Sequence, residues 1–301
     1  MSYSSFTSAL NVPDFAACRH LGMRPVALVQ GFCVMSWRFS RIELGTWGYL
    51  GSGLYTRAYD RDLHGERTYY NGRPISEYLC PHTAPERFLG DHRWFGCNME
   101  CTEMEAAWGR GYNGAYQRLM KEAREFGAHG VIGITDATKT LPDPARRQFH
   151  LYGTAVVFEN SRPPKEIWST YLAGPRLVKL FEAGLLPISI VAANASVSVH
   201  PMCVTEVLEN AALRSYWDTR IDPASEITQL SDAHTSARRL ARDHVKSRLG
   251  NDELHGAELT VHEYHDLPLE VISAELRGTR VRRFRDVEPL PSPVPTVRLV
   301  G

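Results

Sequence analysis

Two stretches of this chain repeat each other at fixed distances. Leu10, Pro13, Gly22 and Pro25 recur as Leu172, Pro175, Gly184 and Pro187, an offset of 162, and the apolar positions between them agree. Thr102 recurs as Thr228 and His129-Gly130 as His255-Gly256, an offset of 126. Gly153-Thr154 recurs as Gly278-Thr279, an offset of 125. Three blocks that keep their order and nearly keep their spacing mark an internal repeat, so the chain is read as two copies of one small unit. The fall from 162 to 126 places an insertion in the first copy, between Trp37 and Glu100.

Each unit has the same local pattern. Asp14 to Leu21 and Arg176 to Ala183 read as short helices closed by Gly22 and Gly184. Pro25 to Trp37 and Pro187 to Val199 read as strands, rich in β-branched residues with proline at the start. Thr102 to Phe126 carries Met104, Ala107, Trp108, Ala115, Leu119 and Ala123 at helical spacing, and Thr228 to Leu249 carries Leu230, Ala233, Ala237, Leu240, Ala241 and Val245. Gly130 to Ile134 and Phe149 to Phe158 complete the first unit as strands, and Ala257 to Val261 and Val271 to Phe284 the second. The helical crossover suits a parallel pairing of the strands it joins, and the last two strands suit a hairpin. Phe149 to Phe158 is apolar at nearly every position after His150, the pattern of a strand covered on both faces.

The chain has 34 basic and 34 acidic residues and a formal net charge of zero. That balance supplies no field to draw it onto nucleic acid or an anionic membrane, so neither is expected as a partner. No run of about 18 apolar residues is present, and the N-terminus lacks a signal-peptide pattern, so a cytoplasmic location is expected. Six cysteines in 301 residues are no disulfide framework.

The run Gly127-Ala-His129-Gly130-Val-Ile-Gly133-Ile134, preceded by a long Ala/Glu/Arg helix and followed by Leu151-Tyr-Gly153-Thr154-Ala155-Val156-Val157, resembles the YbjQ-like family, whose label is heavy-metal-binding. The second copy, with Arg238-Arg-Leu-Ala-Arg242 and Leu276-Arg-Gly278-Thr279, resembles it more weakly. The Ser/Thr-x-Leu-x-x-Pro segment before each unit is similar to tandem members of that family in actinobacteria. The resemblance implies an α+β fold of two tandem dodecin-like β-α-β-β units whose short sheets assemble into rings. It implies no ligand set.

Candidate sites come from the residues themselves. Cys80, His82, His92, Cys97 and Cys101 are thiol and imidazole donors in and beside the insertion, and four of them would close a structural site for zinc or another transition metal. Their spacings match no common zinc module, and Cys101 aligns with Ile227, a core-like position. Gly109-Arg-Gly111-Tyr-Asn-Gly114 matches the dinucleotide fingerprint in letters only, because it falls inside a helix rather than after a strand. His262, Glu263, His265 and Asp266 read as a polar hairpin loop. The insertion is crowded with aromatic residues, among them Trp47, Tyr55, Tyr69, Tyr78 and Trp94, suited to holding a small subdomain or an interface together. No nucleophile elbow, P-loop or zincin motif is present, so a non-enzymatic role is expected.

These readings give a first unit over 1–162 with its insertion at about 38–99, a second over 163–287, and a proline-rich tail over 288–301. The role they favour is a homo-oligomeric ring or shell that partners itself. A metal- or small-ligand-binding module is the alternative, and an uncharacterised enzyme comes third.

Overall fold

The computed structural model describes residues 7–36, 69–70, 73–74, 94–95, 98–141, 146–159, 161–162, 164–199, 228–264 and 270–286. Helix α1 (Val12–His20) leads into β1 (Met23–Ser36). Short pairs follow, β2 (Tyr69–Tyr70) with β3 (Arg73–Pro74) and β4 (Trp94–Phe95) with β5 (Asn98–Glu100). Helix α2 (Thr102–Glu125) precedes β6 (Gly130–Asp136), β7 (Lys139–Thr140), β8 (Arg146–Phe158) and β9 (Trp168–Ser169). The rest of the described chain is α3 (Gly174–Glu182), β10 (Leu185–Val199), α4 (Thr228–Leu249), β11 (Glu253–Tyr264) and β12 (Glu270–Arg283). The mixture of helices and mainly antiparallel sheets, with β9 alone paired in parallel to β6 among the described strands, makes this an α+β protein.

Strand, helix, strand, strand occurs twice, with the same pairing each time. In the first sheet β8 lies between β1 and β6; in the second β12 lies between β10 and β11. Registers correspond: Val29 opposes Gly153 as Val191 opposes Gly278, and each first strand has a bulge just after its proline, Pro25 or Pro187. The segments leading into the units correspond as well. The Ala9 amide donates to Thr154 Oγ1 at 3.1 Å, and the Tyr171 amide to Thr279 Oγ1 at 3.1 Å.

Two expectations need correction. The strands joined by the helical crossover are parallel in direction but not adjacent. The last strand inserts between them, antiparallel to both, and that central position is why β8 is apolar on both faces. The match of His129-Gly130 with His255-Gly256 is also out of register. The offset of 126 holds within the helices: Arg118 donates to the Phe32 carbonyl where His244 meets that of Asn194, and Glu122 accepts from the Gln30 amide where Arg248 donates to the Ala192 carbonyl. Beyond the helices it falls to 123. Gly127 and Gly250 end the helices at φ 65° and 61°, and Gly133 and Gly256 occupy the bulges of β6 and β11 at φ 59° and 62°. Only glycine takes such angles without strain, so the conformation rather than the letters sets the alignment. The change of three falls at the helix end, so the second helix stops about one turn earlier and the stretch from its closing glycine to the bulge glycine keeps its length.

The layers stack so that α2 is covered on both sides. One side packs on the first sheet, bringing Ala115 and Leu119 against Val29, Phe149 and Leu151, all of them buried. Its other side meets the second sheet. Trp108 Nε1 donates to Glu275 Oε1 of β12 at 3.0 Å, and beside that contact the Tyr112 hydroxyl shares a hydrogen bond with that of Tyr171, after β9, and Tyr116 with Ser169 of β9 at 2.8 Å. Burial raises the pKa of all three tyrosines, which keeps them protonated as hydrogen-bonding struts. Helix α4 covers the far face of the second sheet through Ala233, Ala237, Leu240, Ala241 and Val245. A third core of Cys18, Leu172, Leu177 and Leu185 sits under α1 and α3.

The turn after α4 is tied to β12 by Asp252, which accepts from Arg282 at 2.8 and 3.0 Å and from Arg280. The Arg282 hydrogen bonds, helped by Arg280, hold its carboxyl down to about 2. A depressed folded-state pKa adds stability above the ordinary value of about 3.9, and that contribution is lost as pH falls through about 2. We therefore expect Asp252→Asn to lower the thermal midpoint at neutral pH and the deficit to shrink between about pH 4 and 2. An equal deficit at pH 7 and pH 2 would rule out the carboxylate as its source.

Candidate metal centre

The free edge of β10 is where segments from both halves meet. β5 pairs with this edge through Val197–Glu100 and Ser198–Met99. The chain then turns into α2, with Cys101 at the N-cap position. That turn is pinned at Ser196, whose carbonyl accepts from the Cys101 amide at 2.7 Å and whose amide donates to Glu105 Oε1 at 2.9 Å. Where β5 departs, the edge continues with the Asn194 carbonyl, met by His244 Nδ1 at 3.3 Å from the flank of α4.

This geometry gathers Glu100, Glu105 and His244. One donor atom from each lies within 4.8 Å of the other two. His244 Nε2 is 3.6 Å from Glu100 Oε1, and Nδ1 is 3.9 Å from Glu105 Oε2. Donors bonded at about 2.0–2.1 Å to one tetrahedral ion lie about 3.4 Å apart, so modest side-chain closure would complete a three-ligand set. The side chains of Glu100 and Glu105 are 7% and 12% exposed. Two carboxylates this sheltered are stabilised by positive charge nearby, which a bound cation would supply. With a proton on Nδ1 donated to the Asn194 carbonyl, His244 presents the Nε2 lone pair on the Glu100 side. That is the usual way a carbonyl or carboxylate oxygen orients a metal-binding imidazole. Placing Glu105 in the first turn of α2 also sets its charge against the positive end of the helix dipole.

Of the cysteines and histidines singled out in the sequence, Cys101 is half-buried at this spot. Cys80, His82, His92 and Cys97 lie outside the described residues. His262 and Glu263 belong to β11 rather than to a loop, because the strand runs on to Tyr264; His265 and Asp266 lie outside the described residues. His262 lies 3.9 Å from Glu275, and Glu263 lies 3.0 Å from His234. They point to opposite faces and share no site. The glycine run lies wholly within α2, as expected, with Gly111 closely packed against Phe149 and Met35.

Sequence reasoning missed Glu100, Glu105 and His244. Glu105 is one carboxylate among many, and His244 stands at the helix position that corresponds to Arg118 of α2, where nothing marks it as a ligand. The pairing arises only because α2 is packed between the two sheets.

Residues 95–159 match the YbjQ_1 family model, described as "Putative heavy-metal-binding". The matched segment supports a YbjQ-like character and includes Glu100, Cys101, Glu105, α2, β6 and β8; His244 lies beyond it. No curated protein and no solved structure matches the chain. No described helix is long and apolar enough to cross a membrane.

Proposed function

We propose that this chain is a metal-binding module of YbjQ-like type, built from two tandem copies of one β-α-β-β unit, with its ion held by Glu100, Glu105 and His244. The observation that carries the metal reading is the convergence of two sheltered carboxylates and one oriented imidazole from separate segments. Two oxygens and one nitrogen form a hard-to-borderline donor set. It suits zinc, manganese, iron(II) or cobalt(II) better than a thiophilic ion such as mercury(II). Three protein ligands leave a position for water or a small ligand. The repeated register and the paired hydrogen bonds to Thr154 and Thr279 support the tandem-copy reading.

The test is calorimetric titration of the metal-stripped full chain with zinc(II) and manganese(II). One ion per chain is expected, with Glu105→Gln and His244→Gln each weakening it about 10-fold or more. A competing set, Cys80, His82, His92, Cys97 and Cys101, shares this spot through Cys101. Binding that survives Glu105→Gln and His244→Gln but is lost in Cys97→Ser/Cys101→Ser would transfer the ion to that set.

A further inference from the structure

Helices α2 and α4 lie on opposite faces of the second sheet, and their flanks meet at the edge of β10. α2 reaches one face through the bond from Trp108 to Glu275, and α4 covers the other through Ala237, Leu240 and Ala241. The three candidate ligands stand where the two flanks come round that edge. Glu105 is in the first turn of α2, His244 is on α4, and Glu100 is on β5, the strand added to the edge itself.

β5 is lightly held. It pairs with β10 at two positions, Val197–Glu100 and Ser198–Met99, whereas β12 pairs with the same strand from Leu185–Arg283 to Val199–Glu270. Two further bonds extend the joint: the Cys101 amide donates to the Ser196 carbonyl at 2.7 Å, and the Ser198 hydroxyl to the Met99 carbonyl at 3.3 Å. A short ladder at a sheet edge opens at a lower free energy than a long central one. Glu100 and Glu105 bracket this joint, and their like charges oppose each other within 4.8 Å. An ion bonded to both would replace that repulsion with attraction to one centre. Glu105 is divided to suit: Oε1 accepts from the Ser196 amide at 2.9 Å, and Oε2 faces His244.

The first sheet shows the alternative. At the edge of β1, Arg118 donates to the Phe32 carbonyl where His244 meets that of Asn194. A guanidinium is always charged and only donates, whereas an imidazole can offer a lone pair. Where the first unit places a permanent cation, the second places a group that leaves the charge at the edge to an added ion.

We propose that the ion is a clasp whose occupancy decides whether β5 and the first turn of α2 stay closed on the edge of β10 against α4. The inference rests on the metal reading above and adds a metal-dependent conformation to it. Filled, the site draws β5, α2 and α4 to one centre. Empty, the joint opens locally while the long strands of both sheets stay paired.

Amide hydrogen exchange of the metal-stripped full chain, with and without zinc(II), tests this beside the calorimetric titration. In the stripped chain the Cys101 amide should exchange at least about 10-fold faster than amides at the centre of β12. Free zinc at about 100 times its dissociation constant should slow it about 100-fold, because the opening that exposes it must release the ion. Glu105→Gln should show no such slowing. His244→Arg installs the fixed cation of the first unit; it should bind no zinc and exchange slowly at Cys101 with or without it. Zinc that binds by calorimetry but leaves the Cys101 amide unchanged overturns the clasp and leaves the metal reading standing, and no zinc binding overturns both. A Cys101 amide as slow as those of β12 in the stripped chain also overturns the clasp, because the joint then opens only with the whole fold. So does a folded His244→Arg chain that exchanges at Cys101 as fast as the stripped wild type.

Discussion

Replacing Arg147 by methionine should lower the stability of the folded chain by about 3–5 kcal/mol, the usual result of stripping one member from a buried ion pair. Arg147 on β8 and Glu275 on β12 are ion-paired with side chains 6% and 11% exposed. The arginine also donates to the Tyr264 hydroxyl at 2.7 Å and lies 5.6 Å from the Phe149 ring. Glu275 accepts in addition from Trp108 Nε1 at 3.0 Å. This network joins the first sheet, helix α2 and the second sheet. Without Arg147 the carboxylate stays in a sheltered place with the Trp108 indole N–H and, 3.9 Å away, the His262 imidazole as its remaining polar neighbours among the described residues, and desolvation makes that costly. Adding Glu275→Gln to Arg147→Met should recover much of the loss, because the second change removes the uncompensated charge rather than a further interaction. Urea unfolding of the two single variants and the double variant gives the coupling. A loss below about 1 kcal/mol for Arg147→Met, or simple additivity, would mean that the pair is not an effective joint between the halves.

The element plan was largely legible in the sequence, because periodicity and capping glycines act locally. Thr228 and Leu249 bound the second helix as expected, and Gly22 and Gly184 each sit just beyond their short helices at φ 67° and 72°. Sheet order was less accessible. A helical crossover fixes the relative direction of β1 and β6 but not whether a third strand inserts between them. The doubly apolar character of β8 was the clue that it does. Register past the helices was misread because the His-Gly pairs of the two halves do not occupy corresponding places in their sheets. Positive φ at Gly133 and Gly256 is a property of the bulge that the letters do not carry.

The candidate site was legible least. Cys80, His82, His92, Cys97 and Cys101 were singled out because thiol and imidazole donors cluster in one segment, although their spacings match no common zinc module. Glu100, Glu105 and His244 form no such cluster, because the last ligand arrives from the other half of the molecule, across the edge of β10. Sequence proximity instead pointed to Cys101, which sits at the same turn. The exposed aromatic face of the first sheet was likewise hidden. Phe32 and Val34 read as ordinary strand residues until their counterparts Asn194 and Ser196 are found beneath a helix.

Two glycines in the first unit should respond to substitution with opposite signs. Gly31 lies in β1 where α2 crosses it. A Cβ there would stand 1.9 Å from the Ala115 carbonyl oxygen and 2.6 Å from the Leu119 amide nitrogen, both backbone atoms of the helix. No rotamer change relieves a contact with backbone, so α2 would have to withdraw from the sheet. It has nowhere to go, because Trp108, Tyr112 and Tyr116 fix its other side to the second half of the chain. In the second unit the matching residue is Ala193, fully buried, so α4 stands far enough from β10 to admit a methyl group. Gly31→Val should therefore cost about 3 kcal/mol or more, at or beyond the upper end for an overpacked core. Gly109, in the same helix α2, has nothing within 4 Å of its would-be Cβ. Gly109→Ala should stabilise by about 0.5–1 kcal/mol through the entropy that glycine loses in a helix. Denaturant midpoints of the two variants settle the matter. If Gly31→Val unfolds near the wild-type midpoint, the helix is not wedged between the two sheets, and the layered packing that brings Glu105 to His244 loses its foundation.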